Sequence, residues 1–139
     1  GGLLKGNTLL TLCSSTQGQL SPTNLDSRGE FVTIISLSTD EMDTQRESIL
    51  LSDKGELHRF SCNGSSVRFE KLQRKMKIPQ GKMVVDSFGY NGEQYALLDD
   101  GTLSIVDLRS DDLELSPLEF PSSNQDWLSA TPMSIPEVF

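Results

Sequence analysis

The chain has 139 residues, enough for one domain with a real core, and its 35% hydrophobic and 23% charged residues match a soluble globular chain with polar loops. A formal charge of −8 argues against nucleic acid as a main partner, because the phosphate backbone would be repelled by most of this surface. Apolar runs stop at four or five residues, which excludes a helical membrane span, and Gly1-Gly2-Leu3-Leu4-Lys5 offers no basic stretch ahead of an apolar core, so no signal peptide is expected.

In chain order, the first element is Leu3 to Leu12, a hairpin with Lys5-Gly6-Asn7 at its tip. Ser14 to Gly29 is too polar for a core strand, although Gln19 to Pro22 suits a short outer edge strand. Phe31 to Leu37, FVTIISL, is the strongest strand signal. It is rich in β-branched residues and apolar on both faces, as a strand covered on two sides should be. Ser38 to Glu47 reads as a polar, acidic loop. A hairpin over Ser48 to Phe60 follows, with an outer strand at Val67 to Leu72 after the Asn63-Gly64 turn.

The next round starts at Met83 to Phe88, turns at Asn91-Gly92 and enters a second hairpin, with Leu113 to Phe120 as its outer strand. Pro117 is tolerable there only on an edge. The predicted strands are therefore 31–37, 48–53, 56–62 and 67–72, then 83–88, 94–99, 102–108 and 113–120. Ile34, Leu51, Leu57, Leu97, Leu103 and Ile105 are the expected core positions on these strands.

The two hairpins organise this reading. ILLSDKGELHRF (Ile49 to Phe60) and YALLDDGTLSIV (Tyr95 to Val106) share Leu51/Leu97, Asp53/Asp99, Gly55/Gly101 and Leu57/Leu103, each pair 46 residues apart. Asp and Gly supply the backbone freedom that tight hairpin turns need. Recurrence in the forties is the period of a four-stranded propeller blade. On these hairpins and the strand before each, the chain resembles a degenerate WD-repeat-like β-propeller over about residues 31–120. The Gly-His and Trp-Asp pairs of that family are missing, and Val106-Asp107 stands near where Trp-Asp would fall.

The resemblance implies an all-β fold, a partial β-propeller of four-stranded antiparallel blades, with a small β-sandwich or barrel as the alternative. Residues 1–29 would end a preceding blade and add a polar linker. Residues 31–72 and 83–120 would be two full blades, and 121–139 an extended Pro-containing tail or the start of a further blade. Two and a half blades do not close a ring, so further chain or a partner is expected to complete it at residues 3–12 and Trp127 to Met133.

Candidate chemistry is sparse. The two cysteines, Cys13 and Cys62, fall at matching offsets from Gly6 and Gly55, which would place them on different sheets roughly 10 Å apart. They are therefore expected as small buried apolar residues and not as a disulfide. His58, the sole histidine, is expected at an exposed or hydrogen-bonded strand position. No Gly-x-Ser-x-Gly, His-x-x-x-His or Cys-x-x-Cys accompanies it. Asp99-Asp100 and Asp111-Asp112 fail the calcium-loop pattern, since from Asp99 the Gly comes too early and Ser110 takes the twelfth place, so both pairs read as turn residues. No phosphate-cradling loop is present, and Asn63-Gly64-Ser65 is better read as a tight turn than as a glycan acceptor. No catalytic, cofactor-binding or metal-binding residue is assigned.

The one local feature suited to binding is a basic island. Arg68, Lys71, Arg74, Lys75, Lys77 and Lys82 make up six of the twelve basic residues within fifteen positions, while eleven acidic residues and only Arg109 lie from Asp86 onward. VRFEKLQRKMKIP fits a strand or a basic helix able to dock on acidic protein or anionic lipid, against the plainer reading of a solvated loop balancing acidic neighbours. Trp127 is a second candidate contact. The expected function is a non-catalytic protein–protein interaction scaffold, part of a propeller in a larger cytoplasmic or nuclear complex, with other protein subunits as partners and no cofactor. A free-standing sandwich or barrel adaptor and a fragment of a ligand-binding or catalytic propeller are the alternatives.

Overall fold

The computed structural model describes residues 2–13, 17–38, 42 and 44–119. It is all-β, with three antiparallel sheets, none of which closes into a barrel. The first sheet has the order β1 (Gly2–Lys5), β2 (Thr8–Thr11), β3 (Ser21–Asn24). The second is β4 (Phe31–Ser38), β5 (Arg46–Ser52), β6 (Glu56–Asn63), β7 (Ser66–Lys75). The third is β8 (Val84–Tyr90), β9 (Glu93–Leu98), β10 (Leu103–Asp107), β11 (Glu114–Pro117). Each sheet is a meander in which sequence neighbours pair. The stretch that fits either strand or helix is a strand over Ser66–Lys75, and one 3-10 turn at Asp26–Arg28 precedes β4.

The two hairpins carry the same register. Ile49 pairs Arg59, Leu50 pairs His58 and Leu51 pairs Leu57; 46 residues on, Tyr95 pairs Ile105, Ala96 pairs Ser104 and Leu97 pairs Leu103. The turns agree as well. Gly55 has φ 89° and Gly101 has φ 88°, and their N–H groups donate to Ser52 O (3.1 Å) and Leu98 O (3.0 Å). Asp53 and Asp99 donate their N–H groups to Glu30 O and Met83 O, each just ahead of the sheet's first strand. The hairpins lie in different sheets.

Period-2 alternation divides each strand between two faces. Sheet 2 is covered on both. Toward sheet 1, Phe31 and Leu50 meet Leu9 and Leu25, with Leu4, Ile34, Phe60, Val67 and Phe69 around them. Toward sheet 3, Ile35, Leu37, Ile49, Leu51 and Leu57 meet Val84, Ala96, Leu98, Val106 and Leu113. Ile49, Leu51 and Leu57 have no accessible surface, which stabilises the stack by about 1.5–3 kcal/mol for each such side chain buried.

Hydrogen bonds at the tip of the first hairpin and after β7 help to stitch the sheets. Asn7, at the tip of the first hairpin, donates through Nδ2 to Asp26 Oδ1 and Gly29 O (2.9 Å each) and accepts from the Phe31 N–H (3.0 Å), anchoring the entry to β4. Leaving β7, the chain bridges Met76 to Leu113 in parallel, with Lys77 N–H to Leu113 O at 2.9 Å and Leu113 N–H to Lys75 O at 2.8 Å. Met76 N–H also donates to Gly55 O (2.8 Å), and a Cβ at Gly55 would stand 2.2 Å from Met76 O. Gly55 is thus required twice, by its turn and by this close approach.

The cysteine expectation is overturned. Cys13 and Cys62 form a disulfide with Cα atoms 5.7 Å apart. Sheets 1 and 2 converge at this end, where a Cβ added to Gly2 would stand 3.0 Å from the Phe60 ring, so the mean intersheet distance is the wrong guide. Cys13 is buried, while Cys62 is exposed.

Candidate interaction surfaces

The outer face of sheet 3 is built from the alternate residues that do not face sheet 2. Leu97 and Leu103 stand opposite each other, and Tyr95 and Ile105 form the next row with Phe88 beyond Tyr95. Phe88 and Tyr95 stack at 5.6 Å between centroids with an interplanar angle of 23°. Leu97, Leu103, Ile105 and Tyr95 are half-buried, and Phe88 is 41% exposed. The expectation that Leu97, Leu103 and Ile105 are buried is therefore corrected, as it is for Ile34, which is also half-buried. Their neighbours Ala96, Leu98, Ser104 and Val106 fill the core. Leu51 and Leu57 are buried as expected.

Sheet 1 shows a smaller apolar outer face. Leu3 pairs Leu10, which pairs Pro22, and Leu3 is 61% exposed. Leu4 and Leu9 point the other way, into the core with sheet 2.

The basic island is largely engaged within the chain. Arg74 donates through Nε to Asp111 O (2.6 Å) and through one terminal nitrogen to Leu108 O (3.1 Å) and Ser110 O (3.0 Å), clamping the turn before β11. Lys71 pairs with Glu56, Lys77 with Glu114 at 3.0 Å and Lys82 with Asp100 at 3.3 Å. The hydrogen bond from Lys71 holds the Glu56 carboxyl below its ordinary value, and Glu114 lifts the Lys77 ammonium above its own. The Lys75 backbone N–H binds Asp112 Oδ1 at 3.2 Å, and Lys75 and Arg68 occupy exposed positions of β7. The six residues therefore form no single cationic patch; they are strung along one edge strand and the crossing after it. Trp127 lies outside the described residues.

The acidic pairs serve turns. Asp99 Oδ1 accepts from Met83 N–H (3.1 Å), and Asp100 Oδ1 accepts from Thr102 N–H (2.9 Å), the contact that chiefly holds the Asp100 carboxyl below its ordinary value. Among the described residues no group of three or more His, Cys, Asp or Glu is placed to hold a metal ion.

His58 departs from expectation. It is 8% exposed, on the face of β6 that meets sheet 1, edge-on to Phe31 with ring centroids 5.0 Å apart. Its Nε2 has no hydrogen-bond partner among the described residues. Burial pushes the imidazole below its ordinary value. Its sequence neighbours carry no signal of this, because Leu57 and Arg59 point to the opposite face.

An open groove of about 930 Å³ lies beside the Arg74 clamp, with Arg46, Glu93, Asp107 and Arg109 on its walls. It mixes both signs of charge and gathers no reacting constellation. No helix among the described residues is long and apolar enough to cross a membrane. No family model, no curated protein and no solved structure matches this chain.

Proposed function

We propose that the chain is a non-catalytic protein–protein interaction scaffold, part of a propeller of four-stranded blades that other protein subunits, or further chain, complete within a multiprotein assembly. The observation that carries this is the outer face of sheet 3. It repeats, at the same register, the face of sheet 2 whose Ile49, Leu51 and Leu57 are buried by the next sheet, yet it keeps an apolar row partly in water. A rigid stack of sheets presents edges and loops at fixed spacing without any reacting group, and its apolar ends invite continuation.

The cytoplasm or nucleus is the compartment we propose, and it makes a demand on the cysteine pair. Disulfides are rare in reducing compartments, so a cytosolic pool of this protein is expected to hold Cys13 and Cys62 as thiols. The stack then rests on non-covalent contacts alone.

Light scattering coupled to size exclusion, run at several concentrations on residues 1–139, tests the scaffold reading. Self-association or dependence on a partner is the expected result. A clean monomer with a concentration-independent unfolding transition would replace the propeller segment with a self-sufficient three-sheet domain.

A further inference from the structure

We infer that the Cys13–Cys62 bridge is a redox latch on sheet 1. Closed, it locks sheet 1 over the face of sheet 2 that carries His58; opened by a dithiol, it lets sheet 1 lift away while sheets 2 and 3 stay folded. The inference goes beyond the scaffold reading and does not depend on it. The three sheets are not equally joined. Sheet 3 is tied to sheet 2 through the main chain, by the Met76–Leu113 bridge and by Val84 N–H to Asp53 O at 2.8 Å. Among the described residues, eleven buried apolar side chains fill the core between them. The strands of sheet 1 are four residues each and pair only with one another. Four buried apolar residues, Leu9, Leu25, Phe31 and Leu50, fill the seam with sheet 2. A unit with few buried apolar contacts is the first to open.

That seam is pinned at its two ends. Asn7, just ahead of β2, accepts the Phe31 N–H, and Cys13, just beyond the other end of β2, is bonded to Cys62 near the end of β6. Opening the bridge leaves the Asn7 pin, which holds only the entry to β4. The seam also contains a polar flaw. His58 is buried there with Nε2 lacking a hydrogen-bond partner among the described residues, a cost that water removes once sheet 1 lifts. Glu56 and Lys71 on sheet 2 and Arg28 in the turn before β4 are the charged groups that act on it.

The bridge is also reachable. Cys62 is exposed and Cys13 buried, so the thiolate of a small dithiol attacks the Cys62 sulfur. A mixed disulfide forms, the Cys13–Cys62 bond breaks, and its electron pair goes to Cys13, which takes up a proton. The second thiol of the dithiol then attacks the mixed disulfide, releases Cys62 as a thiol and closes into a cyclic disulfide. The bridge thereby gains the two electrons that the dithiol loses. A small-molecule disulfide drives the same exchange backwards and closes the latch.

Hydrogen exchange read by mass spectrometry on the full 139-residue chain, oxidised and after dithiothreitol, tests the latch, with intact mass confirming each state. The expected result is loss of protection over residues 2–24 on reduction, with 49–60 and 94–107 still protected. Oxidised glutathione is expected to restore the first segment. The double variant Cys13→Ser, Cys62→Ser is expected to show the same pattern without any reductant. His58 is the sole histidine, so nuclear magnetic resonance supplies a second readout: its imidazole is expected to titrate closer to the ordinary value once the bridge is open. Should the serine variant fail to fold, the reduced wild type and the His58 titration decide. Unchanged protection over 2–24 or an unchanged His58 titration overturns the inference. So does uniform loss of protection, which would make the bridge a support of the whole stack, and so does a failure of oxidised glutathione to restore the closed state.

Discussion

Leu51 and Leu97 hold the same register position in two hairpins, opposite Leu57 and Leu103, yet Leu51 has no accessible surface and Leu97 is half-buried. The difference lies entirely in what stands beyond the sheet. Leu51→Ala is expected to cost about 2–5 kcal/mol, the range for a packed aliphatic side chain that leaves a cavity. Urea unfolding measures it, and a cost below about 1 kcal/mol would mean that sheets 2 and 3 do not form the core described.

Gly55 and Gly101 share a left-handed turn conformation, so alanine strains both by about 1 kcal/mol. Gly55→Ala carries an additional clash, because its Cβ meets the Met76 carbonyl. The expected order is Gly55→Ala much more destabilising than Gly101→Ala in thermal melts. Equal costs would mean that the crossing at Met76 does not approach Gly55.

Reduction of the Cys13–Cys62 bridge is expected to release two thiols to maleimide and to lower stability. With a sequence separation of 49, loop closure in the unfolded chain contributes roughly 4 kcal/mol. Native mass spectrometry before and after a dithiol reductant checks the bond, and paired melts check the energy. Two maleimide-reactive thiols in fully oxidised protein would show the bridge absent.

His58 makes stability depend on pH. Its imidazole is held below the ordinary value by burial, with Glu56 favouring its charge and Lys71 and Arg28 opposing it. The unfolded chain therefore takes up a proton that the folded chain refuses. The stabilisation is complete above the unfolded value of about 6.5 and is lost as pH falls through the folded value. His58→Leu is expected to flatten this slope between neutral and mildly acidic pH; the Glu56 contribution, also depressed, falls away only in the lower carboxylate range. An unchanged slope in the variant would assign it to other groups.

Arg74→Met is expected to cost about 1–3 kcal/mol, since three backbone carbonyls lose a charged donor. Hydrogen exchange should rise across 108–112 and leave the β5–β6 hairpin protected. Uniform loss of protection would mean that the clamp holds the whole stack and not its local turn.

The hairpins are legible because Asp-x-Gly tips and period-2 alternation are written locally, and the shared register of Ile49–Arg59 and Tyr95–Ile105 follows from them. Alternation also separates Ala96 and Leu98 from Leu97, but it does not say which set meets another sheet. Hydrophobicity alone favours Leu97 and Leu103 for the core, and the stacking of sheets decides otherwise. The Cys13–Cys62 contact depends on how two sheets converge, which no spacing within either sheet encodes. As a sequence position Arg74 is a cation available to a partner; its actual ligands are main-chain carbonyls, and these have no side-chain signature. His58 escapes for a related reason, because its surroundings come from Phe31 in another strand.

The covalent bridge also changes how the molecule would bear tension. Pulled between Gly2 and Glu119, the oxidised chain transmits force from β2 to the end of β6 through one sulfur–sulfur bond. β3, β4, β5 and nearly all of β6 lie inside the closed loop and bear no load, so the extension available before that bond must break comes from β1, β2, β7 and sheet 3. In a scaffold held between neighbours, oxidation would therefore turn β3 to β6 into an inextensible link, while the strands outside the loop remain the parts that yield.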